Sequence, residues 1–178
     1  MKIIILIPIY NDWQSVSKLI DDINLNISGS DNEISIIIVN DASNYDHQNE
    51  EKNLENIHSI KILNMKINQG HSRCIASGLK YIYEKEDFDY VIPMDGDGED
   101  RPEEIKEFLN QIKNSNDKPI VGERVKRSEN LMFKICYQIH KLITYIFTGK
   151  KINYGNYSCL RKKDVNNLSD KASLWSSF

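Results

Sequence analysis

The feature that most constrains the fold is a pair of short, almost wholly apolar runs rich in β-branched residues. They occupy Lys2–Ile9 and residues 33–39, and each is followed by polar, turn-forming residues. Runs of this length without helical spacing are typical of strands buried in a parallel sheet. Between them, apolar residues recur at helical spacing over residues 16–27, which predicts an amphipathic helix. The chain therefore begins as a strand, a helix and a second strand.

The alternation of strands and helices continues along the chain. The pattern predicts strands at Ser59–Asn64 and residues 90–94, and helices at residues 72–83 and 102–112. Together these elements predict an α/β fold with a mostly parallel central sheet flanked by helices. Ligands of such sheets bind beyond the carboxyl ends of the strands, so a functional site is expected there.

Length and composition fit one ordinary globular domain. The 178 residues are 40% hydrophobic and 28% charged with a net charge of −3, which excludes a disordered polyelectrolyte. Cys74, Cys136 and Cys159 are too widely spaced for a zinc or redox pair, and we expect reduced, mostly buried thiols. The first apolar run is too short to span a bilayer. We expect a single domain over residues 1–178 that is soluble and cytoplasmic.

Basic residues are concentrated in one part of the chain. Residues 124–151 contain seven lysines and arginines and one acid, so this segment carries +6 and the remainder −9. An apolar stripe at helical spacing predicts a helix over residues 131–147 within it. Such a helix could lie on an anionic membrane surface or pack on the core with solvated lysines. The clustered charge favours the membrane surface. To the cytoplasmic location we therefore add peripheral association with the inner face of the membrane as an expectation.

Four carboxylates lie within six residues directly after the strand at residues 90–94. They are the side chains of the acidic loop, residues 95–100: Asp95, Asp97, Glu99 and Asp100. At ~5 Å and an effective dielectric of about 20, two carboxylates repel by roughly 3 kcal/mol, and a bound cation would turn this repulsion into attraction. Ligands that are all oxygen indicate Mg²⁺ or Mn²⁺, which commonly join one or two carboxylates to a substrate diphosphate. The alternatives are a solvated turn that caps the next helix, or the paired aspartates of a Mg²⁺-dependent phosphatase.

Two further polar segments lie beside predicted elements. Asp41 and the serine two residues later suit hydrogen bonding to a nucleobase or ribose, although a plain turn with Asx capping uses the same residues. Residues 68–70 (NQG) open the helix that carries Ala76 and Gly78, small residues that allow a close approach. We assign no catalytic role to His71, because a histidine in such a place is more often a surface or capping residue.

Several short segments occur together in a characteristic order. They are residues 8–11 (PIYN), 39–43 (VNDAS), 68–70 (NQG), 94–97 (MDGD) and 121–124 (VGER). This combination resembles glycosyltransferase family 2, which has the GT-A fold, over about residues 1–165. Within the family, residues 97–104 (DGEDRPEE) are similar to the acidic loop and proline of the branch of dolichol-phosphate mannose synthase and polyprenyl-phosphate glycosyltransferases. Gly96 and Gly98 depart from that branch, which usually has alanine and leucine at these positions.

The resemblance implies a nucleotide site at the strand ends. Asp41, with the backbone near Pro8 and Tyr10, would hold the nucleobase. Further residues of the matching segments would complete the nucleotide site: Asn11, Asn68, Gly70 and Asp95.

The resemblance also implies a metal site and catalytic residues. Asp95 and Asp97 would hold ribose, diphosphate and a Mg²⁺ or Mn²⁺ ion. Glu99 stands where the branch often has a metal-binding glutamine, which makes it a third expected ligand. Arg124, together with Arg127, would contact phosphate. The expected catalytic residues are therefore Asp95, Asp97 and Arg124.

The implied reaction is an inverting transfer of a sugar from a nucleotide-diphosphate sugar to an acceptor. A hydroxyl acceptor needs a general base, and neither Asp164 nor Asp170 matches the acidic pair that supplies it in the family. A polyprenyl phosphate is already anionic and needs none, so we expect that acceptor, with a hydroxyl acceptor of cell-surface polysaccharide synthesis as the alternative. A phosphatase and a non-catalytic nucleotide-sugar-binding domain also remain open, and no nucleic-acid partner is expected. The C-terminal region of relatives has no counterpart, so the chain is either cut short or functions without it.

Overall fold

The computed structural model describes residues 1–45, 54–114, 120–123 and 154–169. The strands are β1 (Lys2–Ile9), β2 (Glu33–Asn40), β3 (Ser59–Asn64), β4 (Tyr90–Pro93), β5 (Ile120–Glu123) and β6 (Tyr154–Arg161). The helices in these ranges are α1 (Trp13–Asn26), α2 (His71–Lys85), α3 (Glu104–Asn114) and α4 (Lys162–Ser169). The strands form one six-stranded sheet in the order β3-β2-β1-β4-β6-β5.

The first strand, β1, lies inside the sheet with a parallel neighbour on each side. Its Ile5 is opposite Ile36 of β2 and Ile92 of β4. Successive side chains of a strand point to opposite faces, so Ile5 enters one apolar layer and Leu6 the other. Both faces are buried, which explains why the sequence of this strand is apolar throughout.

Helices cover both faces of the sheet. α1 and α3 pack on the face of Ile5, and α2 and α4 pack on the face of Leu6. Asp12 caps α1, because its Oδ1 accepts a hydrogen bond from the backbone N–H of Ser15 at 3.2 Å. At Gly78 of α2, an added Cβ would stand 2.4 Å from Leu6 Cδ1. This glycine therefore allows α2 to pack closely on β1.

The last strand, β6, lies between β4 and β5 and is antiparallel to both. Its Tyr157 packs edge-on against Phe108 of α3, with ring centroids 4.8 Å apart. The Tyr157 hydroxyl donates a hydrogen bond to the carbonyl oxygen of Arg101 at 2.9 Å. β6 therefore fixes the segment that precedes α3.

The predicted α/β fold with a mostly parallel sheet and flanking helices is confirmed. The helix boundaries differ from the predicted ones by one to three residues, and α3 begins at Glu104 and not at Pro102. The residues before it form a turn, in which the N–H of Glu104 donates to the carbonyl of Arg101. The single domain over residues 1–178 remains a prediction.

Other predictions concern cysteines and membrane segments. Cys74 and Cys159 are buried free thiols, as expected. Cys136 and the helix predicted over residues 131–147 lie outside the described residues. Within the described ranges, no helix combines the length and the apolar character that a membrane span requires.

Candidate functional site

A cleft lies at the carboxyl ends of β1 and β4. After β1 the chain continues to β2 and β3 on one side of this strand, and it returns to β4 on the other side. The gap between β1 and β4 is a topological switch point, where sheets of this kind bind ligands. The cleft has a volume of about 290 Å³ and is lined by Pro8, Ile9, Tyr10, Asp12, His71, Asp95, Gly96 and Asp97.

The carboxylates of the acidic loop have different surroundings. Asp100 is only 5% exposed, and its Oδ2 accepts a hydrogen bond from the backbone N–H of Asp95 at 2.8 Å. Asp97 is exposed, and its Oδ1 accepts from the N–H of Glu99 at 2.9 Å. Asp100 therefore holds the backbone of the loop, whereas Asp95 and Asp97 line the cleft.

The end of the acidic loop is held by a buried tyrosine. Arg101 follows the loop directly, and its carbonyl accepts the hydrogen bond from the Tyr157 hydroxyl. Burial raises the pKa of Tyr157 well above its ordinary value, and the nearby charge of Glu104 raises it further. The hydroxyl therefore keeps its proton at neutral pH and can act as the donor of this bond.

Gly96 allows the acidic loop to lie against the end of β1. A Cβ at this position would stand 3.1 Å from the carbonyl oxygen of Pro8 and 3.0 Å from Val16 Cγ2. A larger residue would require the backbone of β1 or the side chain on α1 to shift. Gly96, one of the two glycines that depart from the family pattern, thus has a packing reason in this chain.

Asp41 connects the end of β2 to the start of α2. It is 3% exposed, and its two carboxylate oxygens accept hydrogen bonds from the backbone N–H groups of Gln69 at 2.7 Å and Gly70 at 2.8 Å. Cys74 lies next to it, and burial together with the charge of Asp41 raises the pKa of this thiol to about 12. Asp41 therefore has a structural role at the start of α2, which differs from the Asx capping of its own turn that the sequence analysis left open.

Hydrogen bonds hold the loop that carries Tyr10. Asn11 has a positive φ of 63°, its N–H donates to Ser43 Oγ at 2.8 Å, and its Oδ1 accepts from the N–H of Asn44 at 2.7 Å. These bonds tie the loop after β1 to the segment after β2. Tyr10 is 48% exposed and lines the cleft, so its ring can contact a ligand.

His71 is a cleft residue to which the sequence analysis gave no role. It is the first residue of α2, and its Nε2 lies 3.4 Å from Asp95 Oδ1. The two residues are far apart in the chain and meet because α2 begins at the edge of the sheet where β4 ends. No local sequence signal identifies such a contact.

The structure brings part of the predicted site together. Four predicted residues line the cleft: Pro8, Tyr10, Asp95 and Asp97. Five others are described by the structure but do not line it: Asn11, Asp41, Asn68, Gly70 and Glu99. Asn68 and Glu99 are exposed, and Gly70, with a φ of 86°, is the N-cap of α2. Arg124 and Arg127 lie outside the described residues.

The cleft offers two carboxylates of the acidic loop to a divalent cation. Among the described residues, no group of three or more His, Cys, Asp or Glu side chains is arranged to hold a metal ion. Mg²⁺, however, is usually bound through one or two carboxylates together with substrate phosphates. The donor pair Asp95 and Asp97 fits that chemistry, with a diphosphate as the remaining ligand.

Comparison with known proteins identifies the family. The sequence profile of Glycosyl transferase family 2 matches residues 4–168, which is most of the chain. The chain belongs to this family. A curated relative, the undecaprenyl-phosphate 4-deoxy-4-formamido-L-arabinose transferase of Proteus mirabilis, is 27% identical over 164 residues, which cover 89% of this chain and 47% of the relative. The family resemblance found in the sequence is confirmed.

Solved structures share the fold of this family 2 member. One is the glucosyl-3-phosphoglycerate synthase of Mycobacterium tuberculosis, solved in complex with Mn²⁺, UDP and glucosyl-3-phosphoglycerate. Its superposition on this chain gives a TM-score of 0.62 at 11% identity, and the matched region covers 91% of this chain and 57% of the synthase. TarS 1-349 of S. aureus gives a TM-score of 0.57 at 15% identity, with coverage of 94% and 49%. At these identities the likeness shows the fold alone. The chain spans about half the length of the relatives it matches.

Proposed function

We propose that this protein transfers a sugar from a nucleotide-diphosphate sugar, with inversion at the anomeric carbon and with Mg²⁺ or Mn²⁺ as cofactor. The observation that carries the proposal is the cleft at the switch point, which is lined by Asp95, Asp97 and the exposed Tyr10. Membership of the family supports the class of reaction. The M. tuberculosis synthase, which shares the fold, was solved with Mn²⁺ and UDP together, and this supports the same ligands here.

Each group in the cleft would have a separate task. Asp95 and Asp97 would bind the cation, and Tyr10 would contact the nucleotide. The cation would offset the charge that develops on the leaving diphosphate. An acceptor oxygen bonds to the anomeric carbon from the face opposite the diphosphate oxygen, whose bond to that carbon breaks. Asp100 holds the N–H of Asp95, so the loop is positioned before the donor binds.

For the acceptor we propose a polyprenyl phosphate. The curated relative is named as an undecaprenyl-phosphate transferase, which supports this class. A phosphate oxygen is already anionic, so the reaction needs no general base. Asp164 is one of the two downstream acids that were considered as a general base. It forms a bidentate ion pair with Arg161, with Oδ2 2.6 Å from Nε and Oδ1 2.9 Å from Nη2. This pairing gives Asp164 a structural role.

Titration calorimetry with UDP and with GDP, each with and without Mn²⁺, tests the donor site. We expect metal-dependent binding of one nucleotide, and its loss in Asp97→Asn. Because Asp97 is exposed, this change should leave the fold intact. Asp31→Asn is the matched control, since Asp31 is an exposed acid that does not line the cleft. Equal affinity of wild type and Asp97→Asn in Mn²⁺ would contradict the metal assignment.

Transfer of labelled sugar tests the acceptor. The protein is incubated with UDP- or GDP-sugars, Mn²⁺ and a short polyprenyl phosphate, and the label is followed into the lipid extract. Label in a glycan but not in lipid would favour the hydroxyl acceptor. Nucleotide binding without any transfer would favour a non-catalytic binding domain, and release of phosphate from simple esters without nucleotide would favour a phosphatase.

We further propose that the basic segment, residues 124–151, contacts an anionic membrane. The segment lies outside the described residues, so the proposal is supported by its charge of +6 alone. Each basic residue near such a surface adds ~1 kcal/mol. Co-sedimentation with phosphatidylglycerol vesicles should show binding that weakens as salt rises and that charge reversal at Lys134 and Lys141 reduces. Negligible binding to anionic and neutral vesicles alike at low salt would contradict this proposal.

A further inference from the structure

We infer that His71 is a positioning residue, which orients the Asp95 carboxylate for the cation. The inference rests on the proposed function, because it assumes that Asp95 is a metal ligand. Its structural basis is the approach of His71 Nε2 to within 3.4 Å of Asp95 Oδ1, inside the cleft. The His71 side chain is 46% exposed and that of Asp95 is 21% exposed, so both reach the cleft from the protein surface.

The backbone on the histidine side of this contact is fixed. His71 follows Gly70 directly, and the N–H of Gly70 is held by the buried carboxylate of Asp41 at 2.8 Å. The carbonyl oxygen of Gly70 accepts hydrogen bonds from the N–H groups of Arg73 and Cys74, both at 3.1 Å. The first turn of α2 therefore starts from a defined position, and the imidazole is directed from an anchored backbone.

The backbone on the aspartate side is fixed in the same way. The N–H of Asp95 donates to the buried Asp100 carboxylate at 2.8 Å, and the N–H of Met94 donates to the carbonyl of Leu6 at 2.9 Å. A buried carboxylate thus holds the backbone on each side, Asp41 beside His71 and Asp100 at Asp95. The two side chains therefore meet from backbone positions that are both fixed by hydrogen bonds.

The chemistry of the cleft gives the contact a purpose. Among the described residues that line the cleft, three are carboxylates, and His71 is the one whose side chain can donate an N–H. A hydrogen bond from Nε2 to Oδ1 would restrict the rotation of the Asp95 carboxylate and keep its second oxygen available to the cation. Carboxylates that bind metals are generally held by such partners, and removal of the partner typically lowers metal affinity 10- to 100-fold.

The test measures Mn²⁺ binding directly, by the EPR signal of free Mn²⁺ during titration of the full chain with saturating UDP and, in a second titration, with saturating GDP. We expect His71→Ala to weaken Mn²⁺ binding about 10-fold and to change the EPR spectrum of the bound ion. His71→Gln keeps an N–H donor and should recover most of the affinity. His58→Ala is the matched control, because His58 Nε2 lies 3.6 Å from a carboxylate oxygen of Glu33 at a site outside the cleft.

The outcomes separate this inference from the proposed function. If wild type binds Mn²⁺ with UDP and His71→Ala binds it equally well, the inference is overturned and the proposed function stands. If wild type binds no Mn²⁺ with UDP and none with GDP, both are overturned. Equal losses in His71→Ala and His71→Gln would also overturn the inference, because the N–H would then have no part in the effect. The same holds if His71→Ala loses UDP affinity in EDTA while its Mn²⁺ affinity is unchanged, since the histidine would then contact the nucleotide.

Discussion

Asp41→Asn should destabilise the fold strongly, although it changes one carboxylate to an amide of nearly the same shape. Both oxygens of the buried Asp41 carboxylate accept backbone N–H groups, at 2.7 and 2.8 Å. Asparagine keeps one acceptor, and its NH₂ group would face the other N–H donor. A hydrogen bond to a charged group contributes about 1.5–3 kcal/mol, and a buried donor left without a partner costs about 1–3 kcal/mol. We therefore expect the free energy of unfolding to fall by about 3 kcal/mol.

Urea unfolding followed by circular dichroism measures this loss. In a chain of this size each kcal/mol shifts the melting temperature by about 2–4 °C, so thermal unfolding should show a fall of about 6–12 °C. Asp12→Asn is the matched control, since Asp12 is an exposed N-cap and asparagine caps helices as well as aspartate does. A change of less than about 0.5 kcal/mol in Asp41→Asn, within the range of ordinary surface substitutions, would refute the argument. If that variant instead lost nucleotide affinity at full stability, base recognition would be the main role of Asp41.

Three further predictions concern Tyr157, Asp164 and Cys74. Tyr157→Phe removes the hydrogen bond to Arg101 and should lower the free energy of unfolding by about 1 kcal/mol in urea. It should also weaken Mn²⁺-dependent UDP binding. Unchanged values of both would contradict the conclusion that Tyr157 holds the acidic loop. Hydrogen bonds from Arg161 hold the pKa of Asp164 below its ordinary value, so the stabilisation is complete above that value and is lost as pH falls through the lowered pKa. Urea midpoints measured over roughly pH 5 to pH 2 should therefore fall more steeply for wild type than for Asp164→Asn, and parallel curves would argue against the pair. Cys74, with a pKa raised to about 12, should resist iodoacetamide at pH 8 in the native protein but not in urea, as peptide mass spectrometry can establish; rapid native alkylation would contradict its burial.

The elements of the fold could be predicted because their signals are local. The apolar run of β1 indicates a strand buried on both faces, and the spacing of apolar residues in α1 indicates a helix with one buried side. The place of β6 between β4 and β5 could not be predicted in this way. It depends on pairing between strands distant in the chain, and a short strand has no local signal for its neighbour.

The site was predicted in part for the same reason. The sequence shows that Asp95 and Asp97 follow a strand, and the carboxyl ends of parallel strands meet at one edge of the sheet. It does not show burial, so the charge pattern of the loop gives no sign that Asp100 is buried and holds backbone. The structural contacts of Asp41 and the contact of His71 with Asp95 could not be predicted, because their partners come from other elements.

The insertion of β6 between β4 and β5 imposes an order on the synthesis of this protein. β5 emerges from the ribosome before β6, yet its partner among the described strands is β6. Until β6 emerges, β4 is an open edge of the growing sheet, and Tyr157 is not present to hold the acidic loop. Open edges promote association between chains, and pairings over long sequence separations form slowly. A nascent chain halted before residue 154 would therefore expose the edge of β4 and leave the acidic loop without its hydrogen bond from Tyr157.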